Sequence, residues 1–291
     1  MTSSLISRLG LKPKEEGITP NESRALKGMA ILLVMFHHFA QHYGLQCPDW
    51  FILLRATGPA ACSLFFFLSG YGLTLSSGSV RQRYWHRRFV MILVPFYLAN
   101  FLSISLKAFV SDSYQNAWLL LTDIVGITLA NPTYWFIHCL LMLYVGFWTA
   151  AKHGWILKVI SCLVMGIIYT VASRNIGSLS WIAFLLGILM AYNKWAISRA
   201  LSLTAVAVSL LTLCYYYQQD MLVNTPIRLA NFIAMIFSFP IAALSVRKSM
   251  NANFVLKYLG TRSMSFYLMH FLALLIAERM LTSFAGGGNI L

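Results

Sequence analysis

Acidic residues are the first thing this chain is short of: 8 Asp and Glu stand against 22 Lys and Arg in 291 residues, a formal net charge of +14. Charge of either sign is scarce at 10% of residues, where soluble domains carry roughly 25%. Beside 59% hydrophobic residues, that deficit excludes an ordinary soluble fold. The five cysteines include no C-x-x-C pair, and Cys62, Cys139, Cys162 and Cys214 fall within apolar runs, where a thiol acts as a small core group. A zinc site or a disulfide framework is therefore not expected. No internal repeat, low-complexity tract or long linker interrupts the chain, which leaves no room for a separate soluble domain. There is no G-x-S-x-G elbow to make Ser69 a nucleophile. The polar start, MTSSLISRLGLKPKEEGITPNESRAL, lacks the basic-then-apolar layout and A-x-A site of a signal peptide. The first apolar run is thus expected to remain as a membrane helix.

What the chain does have is apolar runs, near 28–45, 58–76, 89–108, 117–130, 134–151, 155–173, 179–193, 197–217, 227–246 and 264–284. A helix needs about 20 such residues to cross a bilayer, fewer when it is buried among neighbours. The expected fold is all-α, a polytopic membrane helix bundle of nine or ten transmembrane helices. Residues 1–26 form a polar cytoplasmic segment and 27–291 a single transmembrane domain. The excess positive charge sits in the short loops, which is the positive-inside pattern and not a nucleic-acid footprint. RQRYWHRR at 81–88 marks the cytoplasmic side, and the N-terminus with Lys12, Lys14, Arg24 and Lys27 lies with it. The loops bearing Lys152, Lys194, Arg199, Arg247 and Lys248 read as cytoplasmic too, and those near Asp112 and Asp220 as external. Ten full crossings cannot satisfy these assignments. Either the short run carrying Asp123 is re-entrant, or the rule fails in the second half.

The first run, KGMAILLVMFHHFAQH at 27–42, keeps three histidines. A helix advances about 100° and 1.5 Å per residue. The eleven-residue step from Lys27 to His38 thus returns to nearly the same face, roughly 16 Å along the axis. Arg24 and His42 extend that stripe by a turn at each end, whereas His37 points about 100° away. Ionisable groups within a span face a bundle interior or an aqueous cavity. For these imidazoles three readings stay open: a core group bonded to neighbouring carbonyls, a proton acceptor, or a His38-x-x-x-His42 metal pair with no acid nearby to complete it.

Further marks follow. SLFFFLSGYGLTLS (63–76) sets Ser69, Gly70 and Gly72 beside Phe65–Phe67, a bulk-free patch suited to close helix packing. Arg81, Arg83, Arg87 and Arg88 carry forked donors that suit phosphate, either of lipid headgroups or of a phosphorylated cofactor. Pro95 is expected to bend the third run. NPTYWFIHCLLMLY (131–144) contributes Trp135 and His138, and KYLGTRSMSFYLMHFL (257–272) contributes Ser265, Tyr267 and His270.

Taken together and in this order, Lys27 with His38, FFFLSGYGL, the Arg87–Arg88 turn leading to Pro95, YWFI and LGTRSMSFYLMH resemble the membrane acyltransferase-3 family. Here the arginines run R-x-R-x-x-x-R-R where the family often has R-x-x-R. The resemblance implies an integral-membrane O-acyltransferase that moves an acyl group, most often acetyl from acetyl-CoA, to a hydroxyl of a cell-surface glycan or related sugar acceptor, which can be lipid-linked. It makes Lys27 and His38, with Arg24 beside them, the catalytic group, His38 acting as base or transient acyl carrier. It makes Arg87, Arg88, Arg83 and Arg81 contacts for CoA phosphates, with Ser69 and Gly70 beside the thioester. His42, Trp135, His138, Ser265, Tyr267 and His270 become supporting residues. No metal is expected. The implied location is the bacterial inner membrane, multi-pass, with a cytoplasmic N-terminus and membrane lipids as neighbours. The rival reading is a proton-coupled small-solute or metal transporter using the same histidines; it lacks the half-to-half repeat common in transporter folds.

Overall fold

The computed structural model describes residues 17–43, 54–76, 82–110, 117–125, 131–173, 176–194, 197–218 and 225–284, and every regular element among them is helical. Twelve α-helices follow in chain order: α1 Pro20–Tyr43, α2 Thr57–Ser76, α3 Gln82–Val110, α4 Ala117–Val125, α5 Trp135–Thr149, α6 Trp155–Ser173, α7 Ile182–Asn193, α8 Arg199–Gln218, α9 Pro226–Ser245, α10 Arg247–Asn251, α11 Phe254–Thr261 and α12 Ser263–Phe284. Short 3₁₀ turns at Pro132–Tyr134 and Ile176–Trp181 lead into α5 and α7.

α1 begins well ahead of its apolar run, for a local reason. Thr19 Oγ1 accepts a hydrogen bond from the Glu22 N–H at 3.2 Å, and Glu22 Oε2 accepts from the Thr19 N–H at 2.8 Å. This reciprocal capping box, with Pro20 at the first helical position, satisfies two donors that a helix start leaves open. The buried Glu22 carboxylate also lies 3.7 Å from Arg247 Nε, which ties α1 to α10.

α2 is the centre of the bundle and is buried along most of its length. Where α2 crosses α7, a Cβ on Gly70 would lie 2.2 Å from the Phe184 carbonyl oxygen, and one on Gly187 2.2 Å from that of Phe67. α1 and α11 touch backbone to backbone in the same way: Gly28 meets the Leu256 carbonyl, and Gly260 meets that of Arg24. Small residues let membrane helices approach this closely, and dispersion contacts then replace lipid contacts.

Four helices among the described residues are long and apolar enough to cross a membrane: Leu54–Ser76, Arg88–Leu106, Trp155–Ser173 and Pro226–Ser245. Leu179–Asn193, Arg199–Tyr215 and Ser263–Leu274 are shorter apolar helices. The outer face of α3 is apolar and open, with Met91, Val94, Leu98 and Phe101 all more than half exposed, as a lipid-facing stripe requires. α3 continues through Pro95 as one 29-residue helix. α4 has nine residues, a rise of about 14 Å against a hydrocarbon core of about 30 Å. Asp123 is buried at that helix, and its backbone carbonyl accepts a 2.7 Å bond from Asn100 Nδ2 of α3.

Candidate active site

At the end of the bundle where α1 and α3 begin, a cavity of about 260 Å³ opens between α1, α2, α3, α5, α11 and α12. Lys27 and Arg88 bring two cations to it, and Ser69 one hydroxyl. Below them the lining is apolar and aromatic, with Phe65, Ile92, Phe136 and Leu140, and Tyr267 closes the inner side. Lys27 reaches this space because Gly28 and Gly260 draw α11 against α1 at that level. Arg88 reaches it from the second turn of α3.

The histidines lie further along α1. His38 is half-buried, its Nδ1 2.9 Å from Gln41 Oε1. Its ring faces His270 of α12 at a centroid distance of 4.9 Å and an interplanar angle of 32°. His37 turns the other way, as the helical phase requires, and packs edge-on to His38 at 4.8 Å. The His37 ring rests on Gly58 of α2, and its Nδ1 lies 2.5 Å from the Arg55 carbonyl oxygen. A carbonyl only accepts, so His37 carries a proton on Nδ1. The same logic applies to His270, whose Nδ1 is 2.6 Å from the Tyr267 carbonyl oxygen. His270 Nε2 is buried without a hydrogen-bond partner among the described residues.

Tyr267 joins the two regions. Its ring is 5.1 Å from Phe136 on the cavity side and 5.6 Å from His270 on the other, and its hydroxyl donates to the Thr133 carbonyl. Phe136 packs in turn on Phe65 and Phe66, at 5.9 and 4.6 Å. A partition of aromatic rings thus separates the cationic cavity from the imidazoles.

A family model described as an acyltransferase domain matches residues 22–290. The chain belongs to the acyltransferase-3 family. No curated protein and no solved structure matches it. The family match begins at Glu22, the residue whose side chain closes the capping box and pairs with Arg247.

In this membrane acyltransferase the residues singled out from the sequence fall into separate places. Lys27, Arg88, Ser69 and Tyr267 share the cavity, and His38 and His270 share the imidazole cluster beyond the partition. Arg24 is exposed and donates to Asn21 Oδ1 at 3.0 Å. Gly70 serves the α2–α7 crossing and is not among the residues lining the cavity. Arg81 lies outside the described residues. Arg83 and Arg87 belong to the opening turns of α3 and His42 to the last turn of α1, with side chains outside what is described. His138 packs on Phe96 at 5.3 Å, Trp135 accepts at its carbonyl from Tyr169 Oη at 2.8 Å, and Ser265 is exposed. Among the described residues, no group of three or more His, Cys, Asp or Glu side chains is placed to hold a metal ion.

Sequence reasoning passed over Thr133 and Tyr134. The Tyr134 hydroxyl lies 2.9 Å from Ser103 Oγ of α3 and 3.4 Å from the Leu268 carbonyl of α12, so this turn ties α12 to α3. The available signal was Asn131-Pro132, a cap followed by proline: Asn131 Oδ1 accepts from Thr133 N at 2.9 Å and fixes the turn.

Proposed function

We propose that this membrane acyltransferase moves an acetyl group from acetyl-CoA to a hydroxyl of a cell-surface glycan or a related, lipid-linked sugar. The observation that carries this reading is one cavity with Lys27 and Arg88 on an apolar floor, aligned through Tyr267 with His38 and His270. Forked and ammonium donors suit CoA phosphates, and the apolar lining suits a pantetheine arm. For the thioester to meet His38, the pantetheine arm passes Tyr267, whose ring turns aside when acetyl-CoA enters. With His38 Nδ1 given to Gln41 Oε1, Nε2 is the basic nitrogen. It takes the acceptor hydroxyl proton as the oxygen bonds to the thioester carbonyl carbon. When the tetrahedral adduct collapses, the C–S bond breaks and the departing thiolate takes that proton.

The matching setting is a bacterial inner membrane with the N-terminus in the cytoplasm. Nine crossings, by α1, α2, α3, α5, α6, α7, α8, α9 and α12 with α4 re-entrant, would place the loops bearing Lys152, Lys194, Arg247 and Lys248 on the cytoplasmic side. The cavity then opens toward the compartment that holds acetyl-CoA.

The test uses purified protein in lipid nanodiscs with labelled acetyl-CoA and candidate sugars. His38→Ala is expected to abolish transfer while the protein inserts normally, and undiminished transfer would remove His38 from the chemistry. Arg88→Ala is expected to raise KM for acetyl-CoA by about 10- to 100-fold, the worth of one charge-assisted bond, with kcat little changed. Proton-coupled solute uptake by proteoliposomes without acetyl-CoA would support a transporter instead.

A further inference from the structure

We propose that His270 is a positioning residue for the acyl transfer, a second imidazole whose buried Nε2 holds the proton that His38 acquires. The proposal rests on the acyltransferase reading above and adds to it a residue from the far end of the chain. Three observations converge. The His270 Nδ1 proton is committed to the Tyr267 carbonyl at 2.6 Å, so in the neutral ring Nε2 must carry a lone pair. That nitrogen is buried and has no hydrogen-bond partner among the described residues. Its ring stands 4.9 Å, centroid to centroid, from the ring of His38, with the planes tilted by only 32°. At that separation ring edges come within hydrogen-bond reach through a small rotation of either side chain.

A buried acceptor without a donor is costly. Such a cost is offset when a donor arrives, and protonation of His38 supplies one. As the acceptor oxygen bonds to the carbonyl carbon, its proton passes to His38 Nε2, and the resulting N–H donates to His270 Nε2. When the C–S bond breaks, the thiolate takes the proton, and both rings return to their neutral, Nδ1-protonated forms. His270 remains neutral throughout; it supplies a lone pair and takes no net charge. His37 cannot fill this place, because its ring is turned onto Gly58 and held by the Arg55 carbonyl.

The discriminating variants are His270→Phe, which keeps a planar ring and removes the acceptor, and His270→Gln, whose amide oxygen restores one near the Nε2 position. His270→Phe is expected to lower kcat by about 10- to 100-fold with KM for acetyl-CoA unchanged, a smaller loss than removal of the base itself. His270→Gln is expected to recover most of that loss. Equal activity of both variants, whether wild-type or reduced, overturns the proposal. Imidazole ¹⁵N shifts of labelled wild-type protein give a second readout that survives poor folding of either variant. They should report His270 as Nδ1–H, and an Nε2–H tautomer also overturns it. Wild-type protein inactive with every acyl-CoA and acceptor would instead bring down the acyltransferase chemistry proposed above, whereas active wild type with an equally active His270→Phe brings down only the role of His270.

Discussion

One methyl group is enough to disturb the imidazole cluster. A Cβ on Gly58 would lie 2.5 Å from His37 Cδ2 and 2.7 Å from Nε2, and the ring is pinned by the Arg55 carbonyl. Gly58→Ala is therefore expected to destabilise the protein by about 1–3 kcal/mol and to lower acyl transfer by displacing His37 against His38. Gly72→Ala, on the same helix with none of the described residues within 4 Å of its Cβ, is the control and should leave both thermal unfolding and activity as they are. At this scale the sequence was informative where the helical period alone decides. It separated His37 from His38 and placed Lys27 on the face of His38. It could not find the partner of His38, because His270 lies at the opposite end of the chain and only tertiary packing of α12 on α1 brings the rings together. Nor could spacing reveal the aromatic partition between Lys27 and His38, which is built by α2, α5 and α12.

Helix α1 is held from three directions: by its capping box, by the Glu22–Arg247 pair and by the close contact with α11. Glu22→Ala removes a cap and, at once, the carboxylate beside the half-buried Arg247. It is expected to lower stability by about 2–4 kcal/mol, read as a fall in thermal midpoint in detergent, with loss of activity following loss of fold. The boundary of α1 was hard to read because Thr19 and Glu22 sit in a polar stretch that looks like a tail; what makes them helical is reciprocal bonding, which hydropathy does not register. The small-residue patch on α2 was legible as a packing surface at Gly70, which meets Phe184, while Gly72 faces open space. α4 shows the limit of apolar runs as a guide. Its sequence continues an apolar pattern, yet the helix has nine residues and packs its Asp123 backbone against Asn100.

For the molecule as a whole, α4 decides the sidedness of everything after it. With α4 re-entrant, single cysteines replacing Ala117 and Pro132, in a background lacking Cys47 and Cys214, should both react with an impermeant maleimide from the external side. Labelling from opposite sides would mean that α4 crosses and would invert the second half. The fold class was plain from composition, because a chain this apolar has few solutions besides a helix bundle. Sidedness stayed ambiguous, since one short run changes the parity of all later loops. The partition of Phe65, Phe136 and Tyr267 has an electrical consequence as well. A potential of 100 mV is worth about 2.3 kcal/mol per unit charge, and wherever water hollows a protein from one face the drop concentrates across the dry part that remains. These rings therefore act as insulation, and removing the polar-tipped one, by Tyr267→Ala, should make proteoliposomes measurably leaky to small ions.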